Sequence, residues 1–143
     1  MTSTNAAPAG SVILVVNGGL MRGMRSEYRM SEAGAVFLRE VKTAPVYRLY
    51  SIADGFPGMV RAGDGGASIR AEMYALPYAG FAAVVESEPD GLCVGRVLLD
   101  DGTTALGVIA EPRLVAGCAE ITAFGGWRAY VEAQGIPQVR PGS

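Results

Sequence analysis

Hydrophobic and polar residues alternate in short bursts along this chain, and the bursts predict more strands than helices. Val12–Val16 is an uninterrupted apolar run rich in β-branched residues, the signature of a buried strand. Arg25–Ala33 predicts a short helix and Ala35–Val41 a second strand. Pro45 then interrupts, because proline cannot donate a ladder hydrogen bond. Val46–Ile52 is aromatic and β-branched and predicts a third strand. Asp54-Gly-Phe-Pro-Gly is turn chemistry, with a short strand expected over Met59–Arg61. The cleanest alternation is Ala67–Leu76: Ile69, Ala71, Met73 and Ala75 share one face, and Ser68, Arg70, Glu72 and Tyr74 the other. Pro77 can open a helix reaching about Val85, with Phe81, Val84 and Val85 facing inward. Leu92–Leu99 and Thr103–Ala110 flank Asp100-Asp101-Gly102 as a hairpin, and Arg128–Gln134 is a final helix stopped by Gly135. Six or seven short strands with two or three short helices predict an α+β fold. Its expected form is a small mixed β-barrel, closed or nearly closed, with the helices outside.

The chemistry gathers where the first strand ends. Asn17, Gly18 and Gly19 come directly after Val16, so a rigid element delivers bare main-chain N–H groups. Glycine permits positive φ and lets a ligand approach the backbone. Successive N–H groups in such a turn form a concavity for an anion or a carbonyl oxygen. A strand that merely turns is the plainer alternative.

Composition narrows the chemistry. At 143 residues, half of them hydrophobic, the chain fits one domain with a real core. The expected division is a disordered leader at 1–10, one domain over 11–135 and a flexible tail at 136–143. A net charge of −2, with lysine and arginine scattered, gives no reason to expect nucleic acid. No apolar run approaches the ~20 residues of a membrane helix, and the start lacks a signal-like apolar core. A cytoplasmic location is therefore expected, with Cys93 and Cys118 unpaired and acting as small packing residues. The chain has no histidine, which removes Ser-His-Asp and Cys-His chemistry and most zinc sites. No metal and no cofactor are expected, and acid–base work falls to Glu, Asp, Lys, Tyr or Cys.

Three segments resemble a known family. Val16–Gly23 is similar to the Tyr-Gly-Ser/Thr-Leu loop of the gamma-glutamyl cyclotransferase-like superfamily, with Asn17 in place of the usual Tyr. Thr43-Ala-Pro-Val-Tyr-Arg-Leu-Tyr and Glu120-Ile-Thr-Ala-Phe-Gly-Gly-Trp-Arg-Ala-Tyr resemble the C-terminal domain of allophanate hydrolases more closely. The amidase domain of those enzymes is expected to have no counterpart, the chain reading as a free-standing C-terminal-type domain. The resemblance implies a small mixed barrel with a ligand cavity at the glycine loop, formed by Asn17, Gly18, Gly19, Leu20, Met21 and Arg22. Arg22 would pair with a substrate carboxylate through its guanidinium fork or be an ordinary surface arginine, and Asn17 would donate an amide N–H to a bound carbonyl or simply tolerate the turn.

In the cyclotransferases the substrate's own amine attacks its γ-carbonyl and releases 5-oxoproline, with a glutamate after the short helix as base. Glu88 is the preferred match and Glu86 the runner-up, although the allophanate hydrolase version usually lacks this glutamate. Two acids in a turn are otherwise merely solvated. Glu72 is the third candidate: it reaches the cavity if its face lines the interior, and belongs to an ordinary charged stripe with Arg70 if that face meets solvent. Two functions are compatible with these residues. One is a domain that binds a small carboxylate or amide and acts on it by carboxylate general-base catalysis. The other is an accessory module in amide nitrogen metabolism, engaged in a homodimer or with an amidase partner.

Overall fold

A computed structural model describes residues 3–140. Strands β1 (Ser11–Val16), β2 (Val36–Lys42), β3 (Tyr47–Ile52), β4 (Phe56–Arg61), β5 (Arg70–Pro77), β6 (Leu92–Leu98), β7 (Thr104–Ala110) and β8 (Ala119–Glu120) are accompanied by four short helices. These are α1 (Glu27–Glu32), α2 (Tyr78–Glu86), α3 (Pro112–Val115) and α4 (Trp127–Gln134). The strands divide into a five-stranded sheet ordered β2-β5-β1-β7-β6 and a three-stranded sheet ordered β4-β3-β8. The apolar run of β1 sits at the centre of the larger sheet, antiparallel to β5 and parallel to β7.

The α+β class stands, but a closed barrel does not form among the described residues. The edge strands β2 and β6 meet only at one corner. There Thr43 bridges Leu99, and the Asp100 and Ala44 amides donate to the carbonyls of Lys42 (3.0 Å) and Leu98 (2.9 Å). Pro45 lies just past this corner and cannot donate to a continuing ladder.

Three local differences from the sequence pattern have physical causes. β4 begins at Phe56, inside the expected turn, because Ala53 and Asp54 both take positive φ (52° and 58°) and reverse the chain within three residues. Pro57 is tolerated there because β4 is an edge strand. β5 alternates as expected, yet Ala71 through Leu76 are buried on both faces, because the strand is interior and covered on each side. α3, opened by Pro112, and the two-residue β8 are too short for periodicity to reveal.

The core is one cluster that includes Leu14, Tyr47, Leu49, Met59, Leu76 and Trp127. Cys118 is half-buried, whereas Cys93 is exposed and is no packing residue; both thiols are free. In the leader, Asn5 donates from its main-chain N–H to the Thr104 carbonyl (2.8 Å) and from Nδ2 to Thr103 Oγ1 (2.9 Å). In the tail, Gln138 Oε1 accepts from the Arg25 amide (3.0 Å), and the Arg140 guanidinium stacks over Tyr28. Residues 1–2 and 141–143 of the expected leader and tail lie outside the described residues. No helix among the described residues is long and apolar enough to cross a membrane.

Candidate functional site

The glycine loop leaves β1 against the β3–β4 hairpin. A Cβ at Gly18 would fall 2.5 Å from Cδ of Pro57, so only glycine permits this approach. Neither Gly18 nor Gly19 lies in the left-handed region; close packing, not positive φ, accounts for the glycine at 18. The loop closes through two turns, with the Met21 amide donating to the Gly18 carbonyl (3.0 Å) and the Ser26 amide to the Gly19 carbonyl (2.8 Å). The amides of Gly18, Gly19 and Leu20 have no acceptor among the described residues.

These same residues line a cavity of about 120 Å³. Asn17, Arg25, Ser26, Arg29, Pro57 and Glu88 complete much of its wall. Asn17 is buried and spends Nδ2 on the Val108 carbonyl (2.9 Å) and, at 3.8 Å, on Met59 Sδ. It therefore ties the loop to β7 instead of offering an N–H to a ligand, and its Oδ1 accepts no hydrogen bond among the described residues.

Glu88 reaches the cavity from the far side. α2 ends at Glu86, and the Glu88 amide still donates to the Val85 carbonyl (3.2 Å), turning the carboxylate back toward α1. Its side chain is 11% exposed and pairs with the Arg29 guanidinium at 3.2 Å. Arg29 is fixed by the Val84 carbonyl (3.1 Å) and Ser87 Oγ. Burial raises the Glu88 pKa above the ordinary glutamate value, and the Arg29 charge only partly opposes this. Oε2 of Glu88 carries no hydrogen bond among the described residues, so one carboxylate oxygen is left to accept a proton. Gly80 makes the arrangement feasible: a Cβ there would lie 2.0 Å from the Ala33 carbonyl oxygen, so α2 packs directly on the end of α1.

The other expected residues go elsewhere. Glu86 is exposed on the last turn of α2 and does not line the glycine-loop cavity. Glu72, 1% exposed, is not part of a solvent-facing stripe and does not line the glycine-loop cavity. Its Oε1 accepts from the Arg22 amide (2.8 Å) and the Tyr74 hydroxyl (3.1 Å), and its Oε2 from Arg22 Nε (3.4 Å) and Arg128 (3.2 Å). Burial and the Glu72 charge push the Tyr74 phenol well above its usual range. Arg22 is consumed by Glu72 and Glu40 and by stacking 3.7 Å over the Phe37 ring; it does not line the glycine-loop cavity. Met21 is buried and lines a second cavity. Arg29 has no signal of its own in the sequence: 59 positions separate it from Glu88, and only the packing of α1 on α2 joins them.

No group of three or more metal-ligating side chains occurs among the described residues. Loop amides, a cationic rim and one enclosed carboxylate with a raised pKa suit a small ligand bearing a carboxylate or polar carbonyl.

The strand order and the glycine loop define a mixed α+β domain of two sheets with short flanking helices. An aig2-like protein from Mus musculus shares this fold at 15% identity and a TM-score of 0.56, over 73% of this chain and 82% of that one. More narrowly, residues 12–132 match the family model of the allophanate hydrolase C-terminal domain, and the chain belongs to that family. A uropathogenic E. coli-specific protein is similar at 47% identity and a TM-score of 0.83, over 85% of this chain and 96% of that one. Kluyveromyces lactis allophanate hydrolase is similar at 30% identity and a TM-score of 0.82, over 87% of this chain and 21% of that one. The urea amidolyase of Saccharomyces cerevisiae is 30% identical over 132 residues, 87% of this chain; the match spans only 7% of that protein.

Proposed function

We propose that this domain binds a small carboxylate or carboxylated amide at the glycine loop and that Glu88 acts on it as general base. The observation that supports the proposal is that one cavity is lined both by Gly18, Gly19 and Leu20, whose main-chain N–H groups have no acceptor among the described residues, and by the enclosed carboxylate of Glu88. The amides of Gly18, Gly19 and Leu20 hold the anionic or carbonyl oxygen; Asn17 and Pro57 hold the loop in place; Arg29 positions Glu88. In a γ-glutamyl substrate, the unbound oxygen of Glu88 takes a proton from the ammonium. The freed amine attacks the γ-carbonyl, the γ-amide bond breaks, and the departing amine takes up a proton. Nucleophile and electrophile belong to one molecule, so proximity supplies much of the acceleration. At about 120 Å³ the cavity is below the ~300–1,000 Å³ of drug-sized pockets, so it encloses only the reacting end of such a substrate.

The test is product release from a panel of γ-glutamyl amines and small carboxylated ureas. Turnover that falls ~10²-fold or more in Glu88→Gln supports the assignment; turnover that is unchanged in that variant removes it.

A second reading rests on family membership. In the Kluyveromyces lactis enzyme the matching region occupies only 21% of the chain. Here the domain would serve an amidase partner or a second copy of itself. Co-purification with an amidase, together with no turnover on the panel, favours this reading over independent catalysis.

A further inference from the structure

A second and larger cavity, about 470 Å³, opens between β2, β5 and the start of α4, away from Glu88 and the glycines. Its charges are set by sheet register. β2 and β5 are antiparallel, with Glu40 opposite Glu72 and, two residues along on the same face, Lys42 opposite Arg70. Like charges directly opposite repel. The chain resolves the acidic pair internally, because Arg22 bridges both carboxylates and Arg128 adds to Glu72. The basic pair receives no such treatment: neither Lys42 nor Arg70 has an ion-pair partner among the described residues, although Asp100 and Glu132 also line the cavity. Arg39 adds a further cation to the wall.

Two more features converge there. Gly126 and Trp127 open α4 with no side-chain cap, and a Cβ at Gly126 would lie 3.3 Å from the Arg70 Cβ, which places the positive end of the helix beside the pair. Trp127 is fully buried, lines the cavity, and its Nε1–H is the one buried side-chain polar atom without a partner among the described residues. Met21, Val41 and Ala71 give the remaining wall an apolar character.

We infer that this cavity is a second ligand site, for a small organic oxyanion whose phosphate or carboxylate sits between Lys42 and Arg70 and whose apolar part lies against Met21, Val41 and Ala71, in front of the buried Trp127. The external anion does for the basic pair what Arg22 does for the acidic one. Trp127 is the only tryptophan, so its fluorescence reports on the wall of this cavity.

The experiment titrates phenyl phosphate and phenylacetate at low ionic strength, tracking Trp127 fluorescence and calorimetric heat. Saturable one-to-one binding by either probe is expected, and the tighter of the two identifies the head group. Arg70→Glu turns the repelling pair into an attracting one, so this variant should melt no lower than the parent yet bind at least 10-fold more weakly. Glu86→Gln, outside both cavities, should bind as the parent does. Absence of saturable binding with both probes, or binding that survives Arg70→Glu in a folded variant, overturns the inference.

Discussion

Glu88 is the proposed base because of where its carboxylate is held: 11% exposed and paired with Arg29. A free acidic turn would keep an ordinary pKa, whereas burial against α1 raises this one despite Arg29. The sign has two consequences. The base is available only above its raised pKa, so turnover should climb with pH through a midpoint above the ~4.3 of an unperturbed glutamate. A carboxyl whose folded pKa exceeds its unfolded one favours folding below the unfolded pKa, and this contribution is lost as pH rises through the folded value. Glu88→Gln should therefore flatten the stability profile across that window, as read by urea melts at a series of pH values. A profile still as steep as the parent's in Glu88→Gln would place the titration elsewhere. Gly18 makes an independent prediction. An added methyl meets the rigid Pro57 ring, so Gly18→Ala should cost about 1–3 kcal/mol and weaken ligand binding at the loop. Denaturation and calorimetry on one preparation check both effects. Of the expected loop residues, Asn17 and Arg22 are occupied in holding the fold. Nothing in their local sequence reveals this, because their partners lie 91 positions away at Val108 and 50 away at Glu72.

At the level of elements, three couplings shape the two cavities: β1 into its loop, α1 against α2, and β5 against α4. The second depends on Gly80. With the Ala33 carbonyl 2.0 Å from an added Cβ, Gly80→Ala must separate the helices, at about 3 kcal/mol, and should pull Arg29 from Glu88. The third depends on Glu72, three of whose four hydrogen bonds join β5 to Arg22 of the glycine loop and to Arg128 of α4, the fourth staying within β5 at Tyr74. Glu72→Ala leaves two guanidinium groups without their shared carboxylate. Both are partly exposed and can rehydrate, so the cost should sit at the low end of a broken buried pair, about 3 kcal/mol in urea unfolding. Most elements are legible in the sequence because their signals are local: the apolar run of β1, the alternation of β5, the proline that opens α2 and the glycine that closes α4. Sheet closure is not local. Whether two edges pair depends on strand length and on the path of the chain beyond Thr43, and alternation within a strand carries no information about either.

At the scale of the whole molecule, the two cavities described above stand on opposite terms with the sequence. The smaller is foreshadowed by Asn17-Gly18-Gly19 and by the acidic turn that holds Glu88, both visible as motifs. The larger is not, because Arg39, Lys42, Arg70 and Arg128 are scattered in sequence and gathered only by sheet register and the docking of α4. Family membership sets the fold, and function has to be argued from the sites themselves, since one fold hosts several chemistries. Ligand binding at the smaller cavity requires that the amides past β1 be free to donate. The decisive measurement is a two-dimensional amide NMR titration of the whole chain with malonate and with a γ-glutamyl amine. Saturable shifts of the Gly18, Gly19 and Leu20 N–H resonances, weakened in Gly18→Ala, are predicted. If those three resonances stay fixed at saturating ligand, the glycine loop is a turn and the proposed site is not one.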